Sequence, residues 1–533
     1  MNSQTPLPLL IQSLLNPACY DHEVIQIQLI QTHISWVILT GEIAYKIKKP
    51  VNLGFLDFST LDKRRFYCEE EVRLNRRLAA EIYLDVIEIK GTAEHPQING
   101  KGDIIEYAVK MLQFSQDVQL DRVLERGDLK FDKIDSIAHM LAIFHEQIEV
   151  ADSLSPYGEP ELVIQPFLEN FSQIREQSRE DQYTGTLATI ENWYTSAKTA
   201  LSPLFKQRKV SGFIRECHGD LHLRNIAWHH GKPLAFDCLE FNANLRWIDV
   251  MSEVAFLVMD LQDHHQELLA QRFLNAYLEH SGDYAGIKVL KYYLTYRAMV
   301  RAKVNAIMAR QHDISQQQIL AANQDCHDYL NLAKSYTESS PPVLIITHGL
   351  SASGKTTETQ PLLELMGAVR IRSDVERKRL FGLKAQEDAS AGEGEGIYSP
   401  EATEKTYTKL MDLAEMIIEG GYTVIIDAAN LQQDQRQLFR NLASQNQVAF
   451  IILDFTASTS TLRRRILERK HDASDANLEV LEHQLDHWQP ITDKEKPFAI
   501  NIDTEQRYDV LELIKTIYST ANRQSESRPV CTC

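Results

Sequence analysis

Beyond residue 342 the pattern of hydrophobic and polar positions becomes regular. Short apolar runs fall at 343–347, 369–373, 423–428, 448–455 and 498–503, and the stretches between them, such as 401–419 and 459–470, carry apolar residues at helical spacing. Runs of this length read as strands, and their alternation with helices predicts a parallel sheet with right-handed crossovers. The first part of the chain is patterned differently. Strand-like patches occupy 24–48 and 84–114, whereas 133–148 and 252–332 are mostly helical. Strands first and helices later predict a two-lobed α+β unit.

The two patterns meet at Lys334-Ser-Tyr-Thr-Glu-Ser-Ser-Pro-Pro342, a polar stretch ended by prolines. Such a stretch reads as a linker. The expected organisation is therefore a first domain over 1–335, a linker at 336–342, a second domain over 343–520 and a disordered tail at 521–533. No internal repeat relates the two halves. Within the second, Glu387-Asp-Ala-Ser-Ala-Gly-Glu-Gly-Glu-Gly396 cannot pack a core and reads as a mobile loop or lid.

Composition narrows the function classes. A chain of 533 residues exceeds a single core, and 44% hydrophobic with 24% charged residues is ordinary for a soluble globular protein. No apolar run approaches the roughly 20 residues that span a bilayer. The N-terminus lacks the layout of a signal peptide, and Pro6 and Pro8 interrupt its apolar stretch. The seven cysteines show no paired spacing except Cys531 and Cys533 in the tail, which fits a reduced, cytoplasmic protein. A net charge of −18 disfavours nucleic acid as partner and favours small-molecule or protein substrates.

Candidate chemistry is densest at Gly349-Leu-Ser351-Ala-Ser353-Gly354-Lys355-Thr356-Thr357, which follows one predicted strand and opens into a helix. In that context the glycines let backbone amides close around phosphates. Lys355 then reaches the β- and γ-phosphates of a nucleotide, and the Thr356 hydroxyl can ligate Mg²⁺. Downstream, Val424-Ile-Ile-Asp427 is an apolar strand ending in a carboxylate suited to hold Mg²⁺ through water. Asp374, in Arg372-Ser-Asp374-Val-Glu-Arg377, is either a general base for an acceptor hydroxyl or the cap of the helix that starts there. Arg465 and Arg469 share a helix face at i, i+4 spacing; this resembles the arginine-bearing lid of small P-loop kinases, with a plain basic helix face as the alternative. Loop, Ser-Asp-x-x-Arg, Ile-Ile-Asp-Ala-x-Asn and lid together resemble the gluconate-kinase, zeta-toxin and polynucleotide-kinase group over roughly 342–520. No Leu-Ser-Gly-Gly-Gln signature of a transporter ATPase is present.

A second constellation lies upstream. His218-Gly-Asp220-Leu-His-Leu-Arg-Asn225 is followed by an apolar stretch ending in Phe236-Asp237. This is similar to the catalytic loop and metal-binding aspartate of the protein-kinase-like fold, in the form of the aminoglycoside and choline kinase branch. The resemblance implies that Asp220 accepts or orients a hydroxyl proton and that Asn225 and Asp237 hold Mg²⁺. It further implies that Lys46 of Ile43-Ala-Tyr-Lys46 holds the α/β-phosphates. Glu71, or its neighbour Glu70, on a helix beginning near Cys68 would pair with that lysine. Ala108-Val-Lys-Met111-Leu-Gln-Phe114 would lead into the hinge where adenine binds, and Leu141-Ala-Ile-Phe-His145 matches a helix of the same family. No Gly-x-Gly-x-x-Gly precedes Lys46, only Gly41. Asp249 reads as structural, and Arg297 and Arg301 are either binders of an anionic substrate or a salt-bridged face.

Taken together, the expected fold is two-domain: an N-terminal α+β bilobal protein-kinase-like fold and a C-terminal α/β P-loop NTPase with a parallel sheet. The chain resembles uncharacterised bacterial fusions of an aminoglycoside-phosphotransferase-like domain with a P-loop kinase. That resemblance implies an ATP- and Mg²⁺-dependent kinase with two sites acting on hydroxyl groups of small molecules. A regulatory protein with one inactive half and a nucleic-acid 5′-hydroxyl kinase are the competing readings.

Overall fold

Alternation of inward and outward residues in the first third of the chain builds one antiparallel sheet from β1 (Gln28–Gln31), β2 (Ser35–Leu39), β3 (Ile43–Lys48), β4 (Tyr83–Gly91), β5 (Pro96–Ile98) and β6 (Ile104–Leu112). Its spatial order is β1-β2-β3-β6-β4-β5. The computed structural model describes residues 7–54, 56–178, 182–311, 314–385, 387, 396–468 and 477–526. Successive residues of a strand face opposite sides. In β3, Tyr45 and Ile47 therefore join Trp36, Ile38, Ile87 and Ile89 in one core, which leaves Lys46 and Lys48 on the other face.

The Leu61–Ala79 helix packs through Cys68, Val72 and Ala79 against Tyr83, Tyr107 and Val109 of the sheet. The sequence reading starts this helix near Cys68; it starts seven residues earlier because Thr60 caps it, accepting the Lys63 amide on its side chain. The rest of this unit is mostly helical, with two small additions. β7 (Ile214–Glu216) leads into the hairpin of β8 (Ile226–His229) and β9 (Lys232–Ala235), and β10 (Trp247–Asp249) returns antiparallel to β7.

The second unit contains β11 (Val343–His348), β12 (Val369–Arg372), β13 (Val424–Asp427), β14 (Ala449–Thr456) and β15 (Ala499–Asp503) in the order β12-β13-β11-β14-β15. Every neighbouring pair is parallel, as the strand–helix alternation requires. One face packs Ile345, Ile451, Leu453 and Phe455 against Leu362, Leu363 and Ile517 of flanking helices. The last helix, Val510–Glu526, runs into the stretch read from sequence as tail, because Ala521 is buried and the Gln524 side chain bonds both the N–H and C=O of Phe450. Residues 388–395 of the lid-like segment, and Cys531 and Cys533, lie outside the described residues.

By contacts the chain divides into Met1–His265 with Tyr292–Thr337, and Gln266–Lys291 with Glu338–Cys533. The sequence boundary near 335 does not anticipate this exchange. Its cause is polar: Asn275, on the Glu267–Ser281 helix, donates to the Ala368 carbonyl at 3.0 Å and accepts the Arg370 amide at 2.8 Å, beside an Arg272–Glu364 ion pair of 3.0 Å.

Candidate functional site

In the upstream unit two distant segments converge on Lys46. Its Nζ lies 2.5 Å from Asp237 Oδ1 and 2.7 Å from Glu71 Oε1. Burial alone would lower the lysine's pKa, but the Asp237, Glu71 and Glu240 carboxylates raise it well above the ordinary value and keep it cationic. Of the two glutamates weighed from sequence, Glu71 is the one that faces Lys46. Glu70 turns away to Arg73 at 2.8 Å. Adjacent helical residues point in different directions, so only one can serve.

Asp237 stands at φ +62°, a left-handed backbone that an aspartate tolerates better than most residues. Two contacts hold it there: its own amide donates to the Tyr83 hydroxyl at 3.1 Å, and the next amide, Cys238, donates to Asn75 Oδ1 at 2.9 Å. Met111 and Phe114, at the end of β6, pack in the same cluster as Phe236, the residue before Asp237. Gly41 sits at φ +109° in the β2–β3 turn, its amide bonded to Gln113 Oε1 at 3.0 Å.

The loop of Asp220 and Asn225 is braced from behind. Gly219 stands at φ +89°, where an added Cβ would meet the Leu245 carbonyl oxygen at 2.7 Å, so only glycine fits. Its amide donates to Glu253 Oε1 at 2.7 Å, and the other oxygen of Glu253 faces His145 Nε2 at 2.9 Å. Arg297, buried beneath the loop, donates to the Gly219 carbonyl at 3.2 Å. It is therefore a brace, while Arg301 packs over Tyr329. His145 likewise reaches this loop through Glu253. Asp249 caps the Val250–Asp263 helix and forms a two-pronged pair with Arg208 at 2.6 and 2.7 Å, in accord with its structural reading.

Asn225 donates its side-chain nitrogen to Asp220 Oδ2 at 3.1 Å, which leaves its carbonyl oxygen for a cation. The Asp220 carboxyl is a third exposed, with His222 Nε2 at 3.4 Å. Burial would raise its pKa, but His222, His218 and Arg301 outweigh burial and hold it below the ordinary aspartate range. Oxygen donors from Asn225 and from the half-exposed Asp237 fit a hard divalent cation that keeps some of its waters.

In the second unit β11 ends at His348 and the loop turns at Gly349 (φ +146°) and Gly354 (φ +96°) into the Lys355–Met366 helix. A Cβ on Gly349 would strike the Phe455 carbonyl at 2.5 Å. Lys355 Nζ donates to the Gly349 and Leu350 carbonyls at 2.9 and 2.8 Å. Thr356 Oγ1 donates to Asp427 Oδ2 at 2.7 Å, so the two candidate cation ligands of this half do meet. Ser353 Oγ is buried without a hydrogen-bond partner among the described residues, and Thr357 is exposed on the first turn of the helix.

Arg372 pairs in register with Asp427, and Asp374 lies two residues beyond it, in the first turn of the Ser373–Leu380 helix. The N-cap of that helix is Arg372, so the capping alternative for Asp374 does not describe its place. Arg377 is spent on the Ile397 carbonyl and the Thr403 hydroxyl. Arg465 donates to Ala352 O at 3.2 Å and to Thr504 Oγ1 at 2.9 Å, which puts it against the phosphate-type loop. Arg469 lies outside the described residues.

Several residues were not read from sequence. Lys48 is fully buried between Glu71 Oε2, at 2.7 Å, and Glu240. Gln484 presents its side-chain carbonyl to the Ser351 amide at 2.8 Å. Arg370 ties Thr356 O, Thr359 and Gln360 together beneath the loop. The Lys-x-Lys spacing on a strand was the only local signal for any of them, since it places both lysines on one face.

The folds and these two constellations define a chain that joins a kinase-like phosphotransferase unit to a P-loop kinase-type unit, and comparison with known proteins agrees. Residues 132–290 match the model of the phosphotransferase enzyme family, and residues 344–491 match an AAA domain model. The resemblances read from sequence are thereby borne out. Uncharacterized proteins of Mycobacterium tuberculosis and Mycobacterium bovis are each 29% identical over 450 residues, covering 84% of this chain and 88% of the relative. Among solved structures, amicoumacin kinase hAmiN in complex with AMP-PNP, Ca²⁺ and Ami is 14% identical, covers 60% of this chain and 93% of its own, and gives a TM-score of 0.38. A gluconokinase from Sinorhizobium meliloti is 16% identical, with 36% and 96% covered and a TM-score of 0.25. These scores carry no weight for function. No helix among the described residues is long and apolar enough to cross a membrane.

Proposed function

We propose that the chain is a cytoplasmic bifunctional kinase with two separate Mg·ATP sites, each transferring the γ-phosphoryl group to a hydroxyl of a small molecule. The observation that carries the reading is the meeting of Lys46, Glu71 and Asp237, from three segments, on one unit, while Lys355, Thr356 and Asp427 gather on the other. Bound Mg·ATP supplies the transferable phosphoryl group and the cation that neutralises its charge. The protein then has little covalent work to do, and positioning with electrostatics carries the reaction.

In the upstream unit Lys46, held by Glu71, grips the α/β-phosphates, Met111 and the hinge strand receive adenine, and Asn225 and Asp237 hold the cation. Asp220 orients the acceptor hydroxyl. Its depressed pKa suits an orienting role better than early proton abstraction, because a weak base gains little until bond formation is advanced. In the second unit Gly349, Ser351, Ser353, Gly354 and Thr357 frame the phosphate cradle, with Lys355 on the β/γ-phosphates and Thr356 and Asp427 on the cation. Asp374 serves the acceptor hydroxyl, and Arg465 and Arg469 act on the γ-phosphate.

The test is a γ-phosphate transfer screen of the full chain with labelled ATP against metabolites, sugars, aminoglycosides and 5′-hydroxyl oligonucleotides. Asp220→Ala should abolish one labelled product and Lys355→Ala another. Loss of both products in either variant would refute independent sites. Absence of any product while ATP still binds would favour a regulatory protein, and an oligonucleotide product with steep salt dependence would favour the nucleic-acid kinase.

A further inference from the structure

Lys46 and Lys48 stand two residues apart on β3 and so project from one face of the sheet. Glu71 offers one carboxylate oxygen to each, Oε1 to Lys46 and Oε2 to Lys48, both at 2.7 Å. From there the network branches. Lys46 continues to Asp237 and Lys48 to Glu240, and those two carboxylates lie three residues apart in the same loop. One glutamate thus grips both ends of a short loop through two lysines.

The two lysines differ in what they can reach. Lys46 retains 12% side-chain exposure and contacts the half-exposed Asp237, whereas Lys48 has none and Glu240 has 4%. Lys48 cannot touch a nucleotide. Lys46 lies at the exposed end of the network, paired with Glu71 and donating to Asp237, while Lys48 is enclosed and donates to both Glu71 and Glu240. Lys46 is therefore the arm free to turn, and Lys48 the fixed one. Two ammonium groups here face three carboxylates, and the surplus negative charge has its only substantially exposed member in Asp237. A buried ion pair is weak evidence for stability, since apolar side chains of similar volume often do as well. Its presence asks for another reason.

We propose that Lys48 is a positioning residue of the upstream site: by tying Glu240 to Glu71 it fixes the loop that carries Asp237, so that this carboxylate meets a divalent cation while Lys46 turns to the nucleotide phosphates. The inference rests on the kinase reading of the upstream unit. When a nucleotide draws Lys46 away, Lys48 remains as the counter-charge that keeps Glu71 and Glu240 together. The loop then holds its place without the Lys46–Asp237 contact.

The experiment uses the full chain carrying Lys355→Ala, which silences the other half, and titrates Mg²⁺ against binding of AMP-PNP, with thermal unfolding followed in parallel. If this protein binds no AMP-PNP at any Mg²⁺ concentration, the kinase reading itself fails. Given binding, Lys48→Met should raise the half-saturating Mg²⁺ about tenfold or more; an unchanged value overturns the proposal. Adding Glu240→Gln to Lys48→Met removes the stranded charge and should restore thermal stability without restoring the Mg²⁺ requirement. Recovery of both together would make Lys48 merely structural. Should Lys48→Met not fold, Glu240→Gln alone keeps the Lys48–Glu71 pair and should still raise the requirement roughly tenfold, and no change there overturns the proposal equally.

Discussion

Glu253 accepts the Gly219 amide at 2.7 Å on one carboxylate oxygen, from a helix 34 residues further along the chain. Its second oxygen faces His145, so a buried pair behind the loop fixes the backbone beside Asp220. Burial would raise the Glu253 pKa, but the His145 bond and charge, with His218 and the Gly219 amide, hold it at about 2. Glu253→Ala takes the carboxylate away from the buried His145 imidazole and the Gly219 amide. It should cost about 3–5 kcal/mol, seen as a fall of roughly 6–10 °C in the unfolding transition of the upstream unit.

The same group gives a pH dependence. A carboxyl whose folded pKa lies below its unfolded value contributes stability that is present above the unfolded value and lost as pH falls toward the folded one. Wild-type protein should therefore lose stability between pH 4.5 and about 2 more steeply than Glu253→Gln, which has no charge to lose. Acid-unfolding curves of the two would decide; parallel curves would deny Glu253 this role.

Gly219→Ala puts a Cβ against the Leu245 carbonyl in a left-handed backbone. Upstream transfer should fall at least about a hundredfold, since an ångström of misplacement already costs that much. The other half should keep its nucleotide turnover. Equal loss in both would show that the two sites are coupled.

His222 is the first of the groups that hold the Asp220 carboxyl low. A depressed pKa keeps the carboxylate ionised as pH falls through the ordinary aspartate range, so the wild-type rate should show no acid limb there from this residue. In His222→Ala the limb should move to higher pH. A pH–rate profile of upstream transfer measures it, and an unmoved limb would remove Asp220 as its source.

Gln484 occupies the Ser351 amide, a donor that a bound phosphate would claim. Gln484→Ala frees that amide. With a typical hydrogen bond worth about 1 kcal/mol net, nucleotide affinity of the second unit should rise about fivefold by calorimetry. Weaker binding would instead place Gln484 among the groups that touch the nucleotide.

The sequence by itself determined the parts whose logic is local. The loop from Gly349 to Thr356 is one contiguous stretch whose glycines are required at fixed places by backbone geometry, so strand, loop and helix could be read in order. Strand–helix alternation after 342 likewise dictates a parallel sheet. In the upstream unit the His218–Asn225 loop and Asp237 were legible for the same reason, and Glu71 was preferred to its near equal Glu70, of which helix orientation turns Glu71 toward Lys46 and Glu70 toward Arg73.

Only the tertiary structure decided which charged side chains are buried and what faces them. Lys48 and Glu240 lie 192 residues apart, and a strand lysine carries no local sign that it is buried. Arg297 read as an anion binder or, more readily, as part of a solvated or salt-bridged face until packing placed it under Gly219. Residues 266–291 changed unit because Asn275 found the edge of β12 rather than a neighbour in sequence. Local backbone preference is written within a few residues, whereas the pairing of buried charges is settled by where distant segments meet.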